Sequence, residues 1–305
     1  MILDLSDDAL EYGRQARHAF DAAGGDELVL QAEKAPSARE SLVGPVLAGL
    51  GAWELDPRSD TDGVEAAAAL CRAAGYWAVP YPLAERLAAP TDLDADGLIV
   101  VGGERPAAAV AGLDLRWATV DVTGHRAMVS RHGDIQPGFI TELQLSSVDD
   151  AGPGDVGLAL TLPCWTLLGM LDRAIELTVA HVTLRKQFGQ PLASFQGVQF
   201  QLTDAEVERS GLDILAKHTL WSAAGGRPDA VADALALRLA AIEAADVVFR
   251  VCHQLHGAVG FCDETTLSWL SRHSQPLRRL PFGLSATRQE LTNVAGRRGL
   301  AGLFA

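Results

Sequence analysis

The apolar positions of this chain fall into three successive patterns. Through the first 90 residues they recur at helical spacing. Ser6-Asp7-Asp8 offers an N-cap and an acidic first turn, which predicts a helix running to about Phe20, with Gly24-Gly25 interrupting it. Leu42, Val46 and Leu50 predict a second helix over Ser37–Leu50, which has to accommodate Gly44-Pro45. Asp60 or Thr61 caps a third, running to Ala74, before Pro80 and Pro82 break the pattern.

Between residues 91 and 155 the period changes. Gly97–Gly102, Leu115–Val122, Arg126–Ser130 and Ile140–Leu145 are short, often β-branched, and separated by Gly, Asp and Pro. They predict a small antiparallel sheet.

From residue 156 long helical periods return. Leu168, Leu171, Ile175, Val179 and Val182 form one stripe, on a helix ended by Gly189-Gln190-Pro191. Ser194–Ala223 predicts a second helix, with Val198, Leu202, Ala205 and Leu212 among its apolar positions. Gly225-Gly226-Arg227-Pro228 is a turn. Asp229–His256 predicts a third, and its apolar face is widened by Leu235, Leu239, Ile242 and Phe249. Gly283–Gly299 is a shorter fourth. Long antiparallel helices with short loops make an up-down bundle. The expected organisation is mainly α: a helical domain over 1–90, a reduced β-domain over 91–155 and a four-helix bundle over 156–305.

Composition sharpens this. Hydrophobic residues make up 48% and aromatics only 6%, which suits helices packed through Ala and Leu. The net charge of −14 repels phosphate backbones and anionic lipid, so neither nucleic acid nor membrane is an expected partner. A few local Arg and backbone N–H groups suffice to hold an anionic cofactor. Cys71, Cys164, Cys252 and Cys262 form no C-x-x-C pair and no zinc spacing. Cys164 and Cys252 read as core residues, and a reducing cytoplasm suits them. The N-terminus predicts no secretory signal, and no apolar run suggests a membrane span.

Two segments carry chemistry. One is Arg185-Lys-Gln-Phe-Gly-Gln-Pro-Leu-Ala-Ser-Phe-Gln196; the other is Gln254-Leu-His-Gly-Ala-Val-Gly-Phe261. Each reads as a helix-end turn: Arg185 complements a C-terminal dipole, Gly189 and Gly257 suit C′ positions, and His256 faces terminal carbonyls. Arg185 with Gln196 and Gln254 equally suits a phosphate, because Arg forks onto oxyanions.

The pattern R-x-x-F-G-x-P-L-x-x-F-Q, followed by Q-x-H-G-x-x-G-F, resembles the C-terminal signature of acyl-CoA dehydrogenases. The order helical domain, β-domain, four-helix bundle is similar to that family's. The resemblance implies FAD laid across a subunit interface. It puts Arg185, Phe188, Gln196, Gln254, Gly257 and Ala258 on the positions by which a neighbouring subunit meets the adenosine and pyrophosphate. The family often has a second Gly where Ala258 stands.

Other family features are missing. The T-E-P-x-x-G-S-D loop and W-x-x-N-G turn that hold the flavin within one subunit are not found; Trp117 sits in Leu-Arg-Trp-Ala-Thr. The reaction needs a desolvated carboxylate as base. One family position for it falls in Arg278-Arg-Leu-Pro-Phe-Gly283, without an acid. The other falls near Ala159, where Asp155 is the closest acid. Asp172, Glu176, Asp204, Glu206, Glu208, Glu243 and Asp246 read as helix charges, and Glu264 is not expected to be the base. The chain therefore resembles the shortened subunit of an α2β2 acyl-CoA dehydrogenase. The resemblance implies a full-length partner that carries the base, an acyl-CoA thioester substrate and an electron-transfer-flavoprotein-type acceptor. Such pairs are associated with steroid side-chain CoA esters. The alternatives are a homo-oligomeric dehydrogenase with an unusual base, and a non-catalytic helical interaction protein.

Overall fold

The structure, a computed structural model, describes residues 4–298. Helix α1 (Asp7–Ala22) starts at the predicted cap, where the Ser6 hydroxyl accepts from the Ala9 N–H at 3.3 Å. Gly24 and Gly25, both at positive φ, turn the chain into α2 (Glu27–Lys34), which the sequence pattern did not predict. A 3-10 turn at Pro36–Ala38 leads into α3 (Arg39–Gly49), which keeps Pro45 inside it. The Asp60 carboxylate caps α4 (Thr61–Tyr76) through the Gly63 N–H. A one-turn helix, α5 (Leu83–Leu87), follows the prolines.

The sheet has five strands, β1 (Gly97–Val100), β2 (Ala107–Ala108), β3 (Trp117–Val120), β4 (His125–His132) and β5 (Thr141–Ala151), in the order β1-β3-β4-β5-β2. The expected antiparallel sheet is corrected to a mixed one. β1 runs parallel to β3, with Gly97 opposite Trp117. The chain leaving β1 first lays β2 on the far side, with Ala107 opposite Glu142, and so returns to β3 in the original direction.

The C-terminal half is built on α6 (Pro153–Leu184), α7 (Gln196–Ala224), α8 (Ala230–His256) and α11 (Leu284–Arg298). Gly299, the expected end of the last helix, lies outside the described residues. A two-stranded hairpin, β6 (Lys186–Gln187) with β7 (Gln190–Pro191), joins α6 to α7. Two short helices, α9 (Thr266–His273) and α10 (Gln275–Arg279), separate α8 from α11. α6 packs on α4, α7 and α8. By length and composition it is apolar enough to cross a membrane, which corrects the expectation that no segment is. Its most apolar window is 83% buried inside the protein, because neighbouring helices surround it.

The α4–α6 crossing depends on two glycines. A Cβ on Gly75 would lie 1.8 Å from the Thr166 carbonyl oxygen, and one on Gly169 would lie 1.9 Å from that of Arg72. Each backbone fills the space a side chain would take. Arg72 then reaches across, binding Asp172 of α6 and Asp213 of α7, each at 2.6 Å. Cys164 and Cys252 are core residues as expected; burial pushes their thiols up to about 12 and about 11.

Candidate functional site

The helix leading into the first motif ends earlier than the sequence suggests. α6 stops at Leu184, and Arg185 leaves it with φ −71 and ψ 123. Gly189 is therefore a hairpin residue and not the helix C′ residue. The Leu192 N–H donates to the Arg185 carbonyl at 2.8 Å, closing the hairpin. Its two turn residues, Phe188 and Gly189, have φ of 53 and 82, the signs a type I′ turn requires. A phenylalanine in the left-handed region is sterically costly. This one is also 92% exposed, with its ring edge-on to Phe195 at 6.3 Å.

The second motif follows α8. Gly257 takes φ 65 and ψ −147, a region open only to glycine, and its N–H closes the helix on the carbonyls of His253 and Gln254. His256 Nδ1 lies 2.9 Å from the Cys252 carbonyl oxygen, the expected helix-terminal contact. The following 3-10 turn (Gly257–Phe261) brings Phe261 onto the His253 ring at 4.4 Å.

The ends of α6 and α8 meet. The His181 ring, one turn before Arg185, stacks on the ring of His256, directly before Gly257, at 4.4 Å and 20°. The two motifs, separate in sequence, thus occupy one end of the bundle. All six residues implied there, Arg185, Phe188, Gln196, Gln254, Gly257 and Ala258, are exposed. The side chains of Arg185, Gln196 and Gln254 make no hydrogen bond or ion pair among the described residues, unlike the saturated Arg72. A Cβ on Gly257 would meet nothing within 4 Å, so a ligand can approach the backbone there. An unpaired guanidinium, two free amides and an open glycine fit the diphosphate end of a dinucleotide.

The two family base positions also converge, in a different place. Ala159 and Leu280-Pro281 line one cavity of about 60 Å³. No carboxylate stands at either position. Asp155, the acid nearest the first, has its oxygens taken by Arg58 at 2.6 Å and Arg126 at 2.7 Å. The cavity does contain one acid that sequence reasoning missed, Glu85 of α5. Burial pushes its carboxyl above the usual range, against the opposing pull of its own backbone N–H and the Arg39 guanidinium. It was hidden in Leu83-Ala-Glu-Arg-Leu87, which reads as an ordinary helical turn. Arg238 of α8 lines the same cavity and clamps the 277–282 loop through the carbonyls of Leu277, Leu280 and Phe282 at 3.0, 2.6 and 2.8 Å. The cavity and a neighbour of about 80 Å³ that shares Glu85 are far below the roughly 300–1,000 Å³ of a ligand pocket.

Of the other sequence-noted acids, Asp172, Glu206 and Glu243 pair with Arg72, Arg209 and Arg288. Asp246 pairs with Arg278, and Glu176 accepts from the Tyr76 hydroxyl at 2.7 Å. Asp204, Glu208 and Glu264 are exposed. None of these eight lines the cavity.

Comparison with known proteins agrees with this architecture. The model of the family "Acyl-CoA dehydrogenase, C-terminal domain" matches residues 161–285. Acyl-CoA dehydrogenase FadE28 of Mycobacterium tuberculosis is 36% identical over 92 residues, covering 30% of this chain and 27% of its own length. (R)-benzylsuccinyl-CoA dehydrogenase of Thauera aromatica is 32% identical over 104 residues, covering 34% and 26%. The matched stretches thus span about a quarter of these curated relatives. Among solved structures, a variant of the Tcur3481-Tcur3483 steroid ACAD superposes with a TM-score of 0.77 at 19% identity, covering 98% of this chain and 100% of that one. The ChsE4-ChsE5 complex from Mycobacterium tuberculosis gives 0.73 at 16%, covering 97% and 99%. At these identities the solved structures speak for the fold.

Proposed function

We propose that this chain, whose residues 161–285 match the C-terminal domain of acyl-CoA dehydrogenases, is the reduced subunit of a heteromeric FAD-dependent acyl-CoA dehydrogenase. Its bundle end lends Arg185, Phe188, Gln196, Gln254, Gly257 and Ala258 to the adenosine and pyrophosphate half of an FAD. The flavin ring, the acyl-CoA and the base belong to a full-length partner chain.

The observation that carries this reading is the contrast between the bundle end and the interior cleft. The bundle end is open, with a free guanidinium and an apolar rim: Phe188, Leu184 and Phe261 are 92%, 80% and 68% exposed. Such a rim is costly in water and suits a chain that buries it against another. The interior cleft is small, with room for a few waters and no carboxylate at either base position.

The bound FAD would supply the hydride acceptor. This chain's residues would hold its tail: Arg185 would bind the diphosphate, the open backbone at Gly257 would admit it, and Phe188 would lie at the adenosine. Two of the similar solved structures are described by paired names, which supports a two-chain assembly, and one is described as a steroid ACAD. A bulky steroid side-chain CoA ester is accordingly the proposed substrate class. An electron-transfer flavoprotein is the proposed acceptor and the cytoplasm the proposed compartment. The reading is tested by expressing the chain with and without a full-length relative. It should be colourless alone and part of a yellow complex with the relative; tight FAD binding by the pure chain would refute it.

Glu85 favours a second reading, a homo-oligomeric dehydrogenase with an unusual base. Its half-buried carboxyl, in no ion pair among the described residues, has the chemistry of a base, but the cavity around it is too small for an acyl chain.

A further inference from the structure

The bundle end has an unfilled charge requirement. A dinucleotide's diphosphate bridge carries one negative charge on each phosphorus, and Arg185 answers only one of them. The C-terminal ends of α6 and α8 face the site with carbonyl dipoles that favour cations, while the N-terminus of α7, which begins at Gln196, favours anions. Lys186, exposed on the hairpin, is the one other cation of the first motif, and the second motif has no Lys or Arg, so a positive charge on the α8 side has to come from histidine.

Two imidazoles stand there. His181 and His256 stack at 4.4 Å, one from each helix end. A carbonyl only accepts, so the 2.9 Å contact between His256 Nδ1 and the Cys252 oxygen fixes the proton on Nδ1. Nε2 of His256 and both ring nitrogens of His181 have no protein partner among the described residues. In the free chain both imidazoles are pushed below the ordinary histidine range, by burial first, then by Arg185 on His181 and by His181 and His253 on His256. On His256 the Cys252 carbonyl is the one opposing influence. The groups facing the pair are therefore Arg185 from α6 and His253 from α8. The Gly257–Phe261 turn adds no titratable group.

We infer that His181 and His256 are a second anion-binding element of this site, sharing one proton taken from solvent when a dinucleotide diphosphate binds beside Arg185. The proton goes to His256 Nε2 or to His181, and the imidazolium balances the charge that Arg185 leaves. The stack keeps that charge from being doubled, because two imidazoliums at this separation repel each other. Binding tightens as pH falls through the imidazole range, since the protonated form is the bound form. This rests on the diphosphate site proposed above.

The test is calorimetric titration of the co-purified complex, stripped of FAD, with ADP-ribose, a diphosphate diester, at neutral pH in two buffers of different ionisation enthalpy. The expected result is uptake of about one proton per ligand bound. Replacing both rings, His256→Gln with His181→Gln, should abolish the uptake and weaken binding about tenfold, the scale of one lost ionic contact. Equal heats in the two buffers, or full uptake surviving both His256→Gln and His181→Gln, would overturn the inference while leaving the diphosphate site intact. No binding at millimolar ligand, or binding indifferent to Arg185→Ala, would overturn the site itself and the pair with it. If either histidine variant fails to fold, the wild-type pH profile decides: affinity that rises as pH falls supports the pair, and a flat profile refutes it.

Discussion

Asp155 of α6 and Arg126 of β4 form a buried pair, with Nε and Nη2 of the guanidinium 2.8 and 2.7 Å from the same carboxylate oxygen. The other oxygen takes Arg58 from the segment before α4. One acid thus ties the helical N-terminal region, the sheet and the bundle together. Burial alone would lower the pKa of Arg126; Asp92, Asp155 and Asp150 together hold it raised. Asp155→Asn should destabilise the chain by about 3–5 kcal/mol, the cost of stranding buried cations. Urea unfolding measures this, and a loss within error would mean that the network is dispensable.

The α4–α6 crossing gives a second stability prediction. Gly169→Ala puts a methyl group against the Arg72 carbonyl, so the helices have to separate. Overpacking of this kind costs about 1–3 kcal/mol. Thermal unfolding should show a lowered Tm, whereas Gly197→Ala, where nothing lies within 4 Å of the new methyl, should not lower it.

Much of this was legible in the sequence, for identifiable reasons. Long helices announce themselves through repeated apolar spacing, so α4, α7 and α8 were found to within a few residues. The short α2 and α5 hold too few turns to show a period. The β1–β3 parallel pairing depends on where β2 lies, which no local pattern encodes. At the site, the motif residues were readable because glycines and an arginine at a helix end have physical meanings. The end of α6 was misread because Gly189 suits a hairpin turn as well as a C′ position. Glu85 was invisible because only the fold brings α5 to Ala159 and the 277–282 loop.

Acid sensitivity should trace to Asp213. Burial alone would raise its pKa, but Lys217 at 2.8 Å and Arg72 at 2.6 Å outweigh burial and hold it below the ordinary aspartate value. A carboxyl lowered in the folded state contributes stability above its unfolded pKa and loses it as pH falls through the folded one. Stability should therefore decline below roughly pH 4, the ordinary aspartate range. Asp213→Asn should lose about 1–3 kcal/mol at neutral pH and show a shallower acid limb. Denaturant midpoints across pH provide the check.

Glu85 separates the two functional readings. If the partner supplies the base, Glu85→Gln should leave the complex's turnover within about twofold, since it touches no reacting group. A loss of about 100-fold or more, with flavin retained, would make Glu85 the base and favour the homo-oligomeric reading. Steady-state dehydrogenation with an acyl-CoA series distinguishes these outcomes.

The central claim is that this chain holds the tail of a flavin whose ring lies in a partner. The most direct measurement is the FAD content of the co-purified complex, wild type against Arg185→Ala. About one FAD per pair of unlike chains is expected, with affinity falling about tenfold or more in the variant as a charge-assisted contact is lost. FAD bound one to one by this chain alone, or retained undiminished after Arg185→Ala, would contradict the account.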